Sequence, residues 1–244
     1  MNAAPSSARR LVLLAACTGP LAFASGCVSI GNKTPTHVSY ELRDLGEATS
    51  SPQHAPLDRV VLVSWTGASA FYDATSIVYS RSPGALAYYQ FASWSERPAE
   101  QVGRLFARRL AGTGIFRDVA SISAGVQGGW VVELELDEML HDDAVPPGVA
   151  RISMRMRIVD RSERRTIATR RFREEEPLRT ESAESTVKAL EVAVTRMIDA
   201  SVRWVIEEAL AAGSPASAEA GRASPAKRPA GGPGTRRALS AAGR

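Results

Sequence analysis

The chain is predicted to fold as a single α/β domain: a mixed sheet that ends in a C-terminal antiparallel meander, with two main helices packed on it. Three observations predict this. First, in Trp130 to Asp137 the apolar Val132, Leu134 and Leu136 alternate with Glu133, Glu135 and Asp137; in Arg151 to Ile158 the apolar Ile152, Met154, Met156 and Ile158 alternate with Arg151, Ser153, Arg155 and Arg157. Alternation with a period of two marks strands with one face in the core. Second, Glu184 to Leu210 carries Val187, Leu190, Val194, Met197, Ile198, Val202, Val205 and Ile206 at helical spacing. Third, Val102, Leu105, Phe106 and Leu110 recur at helical spacing after Pro98.

In chain order, Val38 to Leu42 reads as a brief strand and is followed by a polar segment containing Pro52 and Pro56. Val60 to Val63 is a short apolar, β-branched run, the pattern of a strand buried on both faces. Ile77-Val78-Tyr79 and Leu86 to Tyr89 flank Ser82-Pro83-Gly84, whose turn chemistry predicts a hairpin. Pro98 suits a first helical turn, where its missing N–H costs nothing, and Gly112 and Gly114 stop that helix. Asp118 to Ser123 is a short strand candidate. The two alternating strands are joined by the proline-rich connection His141 to Val149 and pair as a hairpin whose wet face sets acids beside arginines. Arg161 to Glu163 turns the chain into a third strand, Thr166 to Glu174, before the long helix ending near Gly213. About five to seven strands and two helices make one domain of about 175 residues, without an internal repeat.

The two ends differ from this body. Arg9 and Arg10 precede an apolar run from Leu11 to Phe23 and then Ala24-Ser25-Gly26-Cys27, the layout of a secretory signal peptide. Thr18, Gly19 and Pro20 interrupt the run, leaving it too short to span a bilayer. A cysteine after small residues resembles a bacterial lipobox. Leu14-Ala15-Ala16-Cys17 is the better string but leaves only a stub of apolar region; Cys27 leaves a full-length one and is the preferred lipidation residue. An ordinary cleaved signal and a twin-arginine export signal at Arg9-Arg10 are the alternatives. On this reading residues 1–26 are the signal peptide, 27–37 a lipidated tether, 38–212 the folded domain and 213–244 a tail rich in Ala, Gly, Pro and Ser, expected to be disordered.

The chain's net charge of +4 belongs to its ends: the tail contributes +5 and the leader +2, which leaves −3 for the body. No feature of the body points to nucleic acid. With Cys17 discarded and Cys27 lipidated, thiolate catalysis, disulfides and cysteine-bound zinc fall away together.

A search for reaction chemistry finds little. His37 and His54 lie in polar segments. Glu138 to Asp143, with His141 at its centre, is the one cluster with general-base or metal potential, and it reads as a surface loop. Glu133 and Glu135 are explained by the arginines opposite them. The sequence has no Gly-Xaa-Ser-Xaa-Gly elbow and no His-Glu-Xaa-Xaa-His pair. We therefore expect no enzyme, no metal and no cofactor. The aromatic stretch Tyr88, Tyr89, Phe91 and Trp94 remains, either as a docking surface or as rings that cap the sheet.

The ordered series Tyr40-Glu41-Leu42, Arg59-Val60-Val61-Leu62-Val63, Ile77-Val78-Tyr79, Leu86-Ala87-Tyr88-Tyr89, Trp94, Pro98, Leu105, Leu110, Gly114-Ile115-Phe116 and Val119 resembles the ABC-type transport auxiliary lipoprotein family. The resemblance covers Tyr40 to about Leu210 and is looser after Val119. The Ala at the third position before Cys27 and the long tail depart from the family pattern.

The resemblance implies an outer-membrane lipoprotein facing the periplasm, with diacylglycerol and an N-acyl chain such as palmitate on Cys27 and no other cofactor. Val28 and Ser29 offer no acidic retention signal, in keeping with that destination. Its partners would be a mammalian-cell-entry (MCE) domain protein, a permease and an ATPase that move lipids between membranes, with a homo-oligomer as a further possibility. Tyr88, Tyr89, Phe91 and Trp94 would be the partner or lipid contacts. The implied fold is three-layered and similar to the N-terminal domain of TolB; the charged strand face predicts that one side is incompletely covered. The alternative function is a general envelope-assembly lipoprotein without a transporter partner. A periplasmic hydrolase would rest on Glu138 to Asp143 alone.

Overall fold

In the computed structural model, residues 36–46 and 55–213 are described. The signal-peptide, lipidation and tail assignments, with Cys17, Cys27 and His54, lie outside them. The chain divides into units 1–36 and 37–244, and the fold belongs to the second. Its strands are β1 (Val38–Tyr40), β2 (Leu57–Ala68), β3 (Ser76–Ser82), β4 (Ala85–Trp94), β5 (Phe116–Ser121), β6 (Trp130–Asp142), β7 (Val149–Asp160) and β8 (Arg165–Pro177). The helices are α1 (Pro98–Gly112) and α2 (Ala183–Gly213).

All eight strands join one mixed sheet. β6, β7 and β8 form the antiparallel meander expected from their alternation. On its other side β6 takes two parallel neighbours in turn, β2 along its first half and β3 near its end. β5 extends the sheet beyond β2, and the β3–β4 hairpin carries β1 at its far side. Eight strands form against the five to seven expected, and even β1, read from the sequence as a brief strand, finds ladder partners in Ala92 to Trp94. Strands also outrun their apolar signal: β2 continues past Val63 because Ser64 and Trp65 still pair with Glu133 and Leu134.

The core follows from side-chain parity. Val61 and Val63, then Val132, Leu134 and Leu136, then Ile152, Met154, Met156 and Ile158 share one sheet face and bury the stripes of both helices. α1 starts at Pro98 and buries Val102, Leu105, Phe106 and Leu110 as its spacing predicts. α2 buries Leu190, Val194, Met197, Ile198 and Val205 completely. The segment following β1 is tied down across the helices. Arg43 makes a two-pronged pair with Glu191, at 2.7 and 3.1 Å, and Arg109 of α1 binds both Asp44 and Asp199 of α2.

The opposite face of the meander holds the charge ladder. Glu133 stands opposite Arg157 and Glu135 opposite Arg155, with Arg155 to Glu135 at 2.9 Å. Asp137 joins Arg155 and Arg171 at 3.3 and 3.0 Å. Such partly wet pairs each contribute up to about 1 kcal/mol. They also keep that face solvated, so both helices lie on one face among the described residues. The three-layer arrangement implied by the resemblance is not formed there. Val60 and Leu62 are nevertheless buried on the outer side, with Val131, in a small separate cluster, which meets the expectation of a strand covered on both faces.

Candidate functional site

β4 is where the fold exposes its aromatic chemistry. Pro83 and Gly84 close the β3–β4 hairpin, Gly84 at φ 79°, the value a Pro-Gly turn requires. β4 then runs continuously from Ala85 to Trp94, where the sequence reading places a strand end and a loop. Its inner side pairs with β3. Its outer side is covered by β1 only at Ala92 to Trp94, so among the described residues Ala85 to Phe91 form a free sheet edge. No residue of β4 is charged and none is proline.

The four rings have separate fates. A register irregularity between β3 and β4, from the pairs Ser76–Ser93 to Val78–Tyr88, breaks simple alternation. Trp94 is 3% exposed and belongs to the main core. Tyr89 is half-buried on the helix side, beside His141. Tyr88, 41% exposed, turns to the opposite face and stacks on Phe71 with centroids 4.6 Å apart, above Tyr72, Val78 and Leu140. Phe91 is 42% exposed. Of the four rings, Tyr88 and Phe91 are exposed, Tyr89 is half-buried with its hydroxyl engaged internally, and Trp94 is buried. Phe71 joins Tyr88; no periodic signal in the sequence marks it.

The Glu138-to-Asp143 cluster is placed differently from its surface-loop reading. β6 extends through Asp142, and His141 is 1% exposed. A bulge causes the misreading: Leu136 pairs with Met154 and Glu138 with Ser153, so Asp137 is an extra residue and the acids at 137 and 138 interrupt the alternation. Beyond it, Met139 and His141 face the helices.

His141 Nε2 lies 2.9 Å from the Pro147 carbonyl and Nδ1 2.8 Å from the Tyr89 hydroxyl. A carbonyl only accepts, so Nε2 carries a proton, and Nδ1 shares a hydrogen bond with the Tyr89 hydroxyl. The Tyr89 hydroxyl also lies 3.2 Å from Thr186 Oγ1, which donates to the Ser182 carbonyl. Burial pushes the Tyr89 phenol above its ordinary pKa, the Thr186 contact opposing. Both imidazole nitrogens are therefore occupied in a lock joining β4, β6 and α2. Among the described residues no cluster of His, Cys, Asp and Glu could hold a metal ion, and no helix is long and apolar enough to cross a membrane.

These features define a helix-backed mixed-sheet domain whose distinctive surface is an uncharged, aromatic strand edge. The sequence model for the ABC-type transport auxiliary lipoprotein component matches residues 40–200, and the chain belongs to that family. In fold it is similar to a crystal structure from Xanthomonas campestris assigned to the DUF330 family, at 19% identity and a TM-score of 0.63, covering 71% of this chain and 97% of that one. A second solved structure, of an uncharacterized protein, overlays at 13% identity and a TM-score of 0.55, covering 70% and 99%. At these identities the likeness is one of fold. No curated protein matches the chain.

Proposed function

We propose that the chain is a non-enzymatic outer-membrane lipoprotein of an ABC-type intermembrane lipid transporter, anchored through acyl chains on Cys27. It docks a periplasmic MCE-domain assembly, working with a permease and an ATPase, to that membrane. Membership of the auxiliary lipoprotein family supports the transporter context. The observation that carries the docking role is the free β4 edge. Exposed strand edges in native proteins are usually blunted by charge, proline or a bulge that turns them away. β8 follows that rule with its Arg and Glu residues, and β5 is short. From Ala85 to Phe91, β4 has neither charge nor proline and presents Leu86, Tyr88 and Phe91 instead. An extended partner segment can add to such an edge through main-chain hydrogen bonds, with aromatic side chains supplying selectivity.

Crosslinking and pull-down of the full lipoprotein from its native envelope tests the role. The expected result is recovery of an MCE-domain protein, lost in the double variant Tyr88→Lys, Phe91→Lys while thermal unfolding stays cooperative. Failure to recover any MCE-domain protein sinks the docking role, and recovery of envelope-assembly factors alone favours the general lipoprotein reading.

A further inference from the structure

A pocket of about 250 Å³ opens at the end of the sheet where β2, β5 and β6 begin and β7 ends. It is lined by Arg59, Arg117, Gln127, Trp130 and Asp160, among others. Arg59 lies over the Trp130 ring, its guanidinium carbon 3.9 Å from the ring centroid. Trp130 is itself 2% exposed and fixed in the core, so it holds the guanidinium in one plane. Arg59 Nη1 is buried and has no hydrogen-bond partner, the one such donor among the described residues.

The acids in the pocket leave this donor without a hydrogen bond, although the Asp160 charge acts on Arg59. Asp160 accepts from the Ser162 and Glu163 N–H groups at 2.9 and 3.1 Å and from the Trp130 indole at 3.3 Å, and makes no ion pair with Arg59. Asp58 pairs with Arg117 at 2.5 Å, but both side chains are largely exposed, so the pair is weak and Arg117 is free to turn to another anion. Gly128 lets the loop form the pocket wall: a Cβ there would stand 2.9 Å from Leu62 and 3.2 Å from the Val60 carbonyl.

We propose that this pocket binds one singly charged phosphate group, with Arg59 as the principal donor and Arg117 as the closing one. A buried guanidinium donor without an acceptor is costly, and Arg suits the several oxygens of a phosphate. Asp58 and Asp160 balance the two arginines, which disfavours polyphosphates. The volume fits a headgroup-sized ligand rather than an acyl chain. A free phosphate ion and a lipid-derived phosphodiester share this chemistry.

Isothermal titration of the full chain with inorganic phosphate, and separately with glycerophosphoethanolamine, distinguishes the two sources, with chloride as the ionic-strength control. Saturable binding of either probe above the control, weakened about ten-fold or more by Arg59→Gln, supports the site. Tighter binding of glycerophosphoethanolamine assigns it to lipid headgroups, and tighter binding of phosphate to the free ion. Binding of neither probe, or unaltered binding by Arg59→Gln, overturns the proposal. Arg117→Gln changes only the exposed rim and is expected to weaken binding several-fold with no change in unfolding. Unaltered binding in that variant overturns the two-arginine site even if Arg59→Gln does not fold.

Discussion

Arg109 shows how single residues hold this domain together. It is 8% exposed, yet it carries a full charge between Asp44 and Asp199, joining the segment after β1 to both helices. Removing it leaves the nearly buried Asp44 carboxylate uncompensated, while Asp199, 41% exposed, stays solvated. Arg109→Ala is therefore expected to cost about 3–5 kcal/mol in chemical denaturation, more than any exposed arginine of the ladder. Tyr89→Phe tests the His141 lock: it deletes the hydroxyl bonded to Nδ1, at an expected cost of about 1–3 kcal/mol. Trp94→Ala should cost about 3–5 kcal/mol as a core truncation, whereas Tyr88→Ala should cost about 0.5–1.5 kcal/mol, the worth of its stack on Phe71.

Acid sensitivity also belongs to the residue scale. Burial acts to raise the Asp160 pKa, but bonds from the Ser162 hydroxyl, the Glu163 and Ser162 N–H groups and the Trp130 indole outweigh it and hold the carboxyl below its ordinary value. Arg151, through its hydrogen bond and charge, does the same for Glu175 despite burial. A depressed folded-state pKa contributes stability that is fully present above the unfolded value and lost as pH falls through the folded one. The melting temperature should therefore hold down to about pH 5 and decline below about pH 4. Asp160→Asn should flatten that decline; an unchanged pH profile would contradict the assignment.

At the scale of elements, the meander was legible as antiparallel strands with one apolar and one charged face, because burial alternates along a strand. Which acid meets which arginine was not: a slip of two residues keeps the parity and still sets acids opposite arginines, so the pairs Glu133–Arg157 and Glu135–Arg155 come from the structure. The helix stripes were legible for the same reason, because burial repeats with the turn of the helix. β4 was not. Tyr88, Tyr89, Phe91 and Trp94 are alike in composition, and their separation depends on a β3–β4 irregularity that no local periodicity encodes. The bulge at Asp137 hid His141 in the same way. It yields an element-scale prediction: deleting Asp137 straightens β6 and keeps Met139 and His141 inward, whereas deleting Met139 turns His141 outward. Circular dichroism should record a cooperative melt for the first deletion and its loss for the second.

At the scale of the whole molecule, the proposed anchor at Cys27 would join a domain with one helix-covered face to a membrane. Cys27→Ser is expected to abolish palmitate labelling and membrane fractionation, and Cys17→Ser to leave both intact; the reverse pattern would move the anchor to Cys17. The sequence by itself determined the fold class, the order of elements, the antiparallel meander and the family. Those depend on periodicity and on ordered short motifs, which are local. Tertiary structure alone decided which aromatic rings stay outside, that both helices share one face, and that Arg59 comes to rest on Trp130. Each of those depends on which distant strand lies alongside, and burial is conferred by neighbours that a residue's own sequence context does not specify.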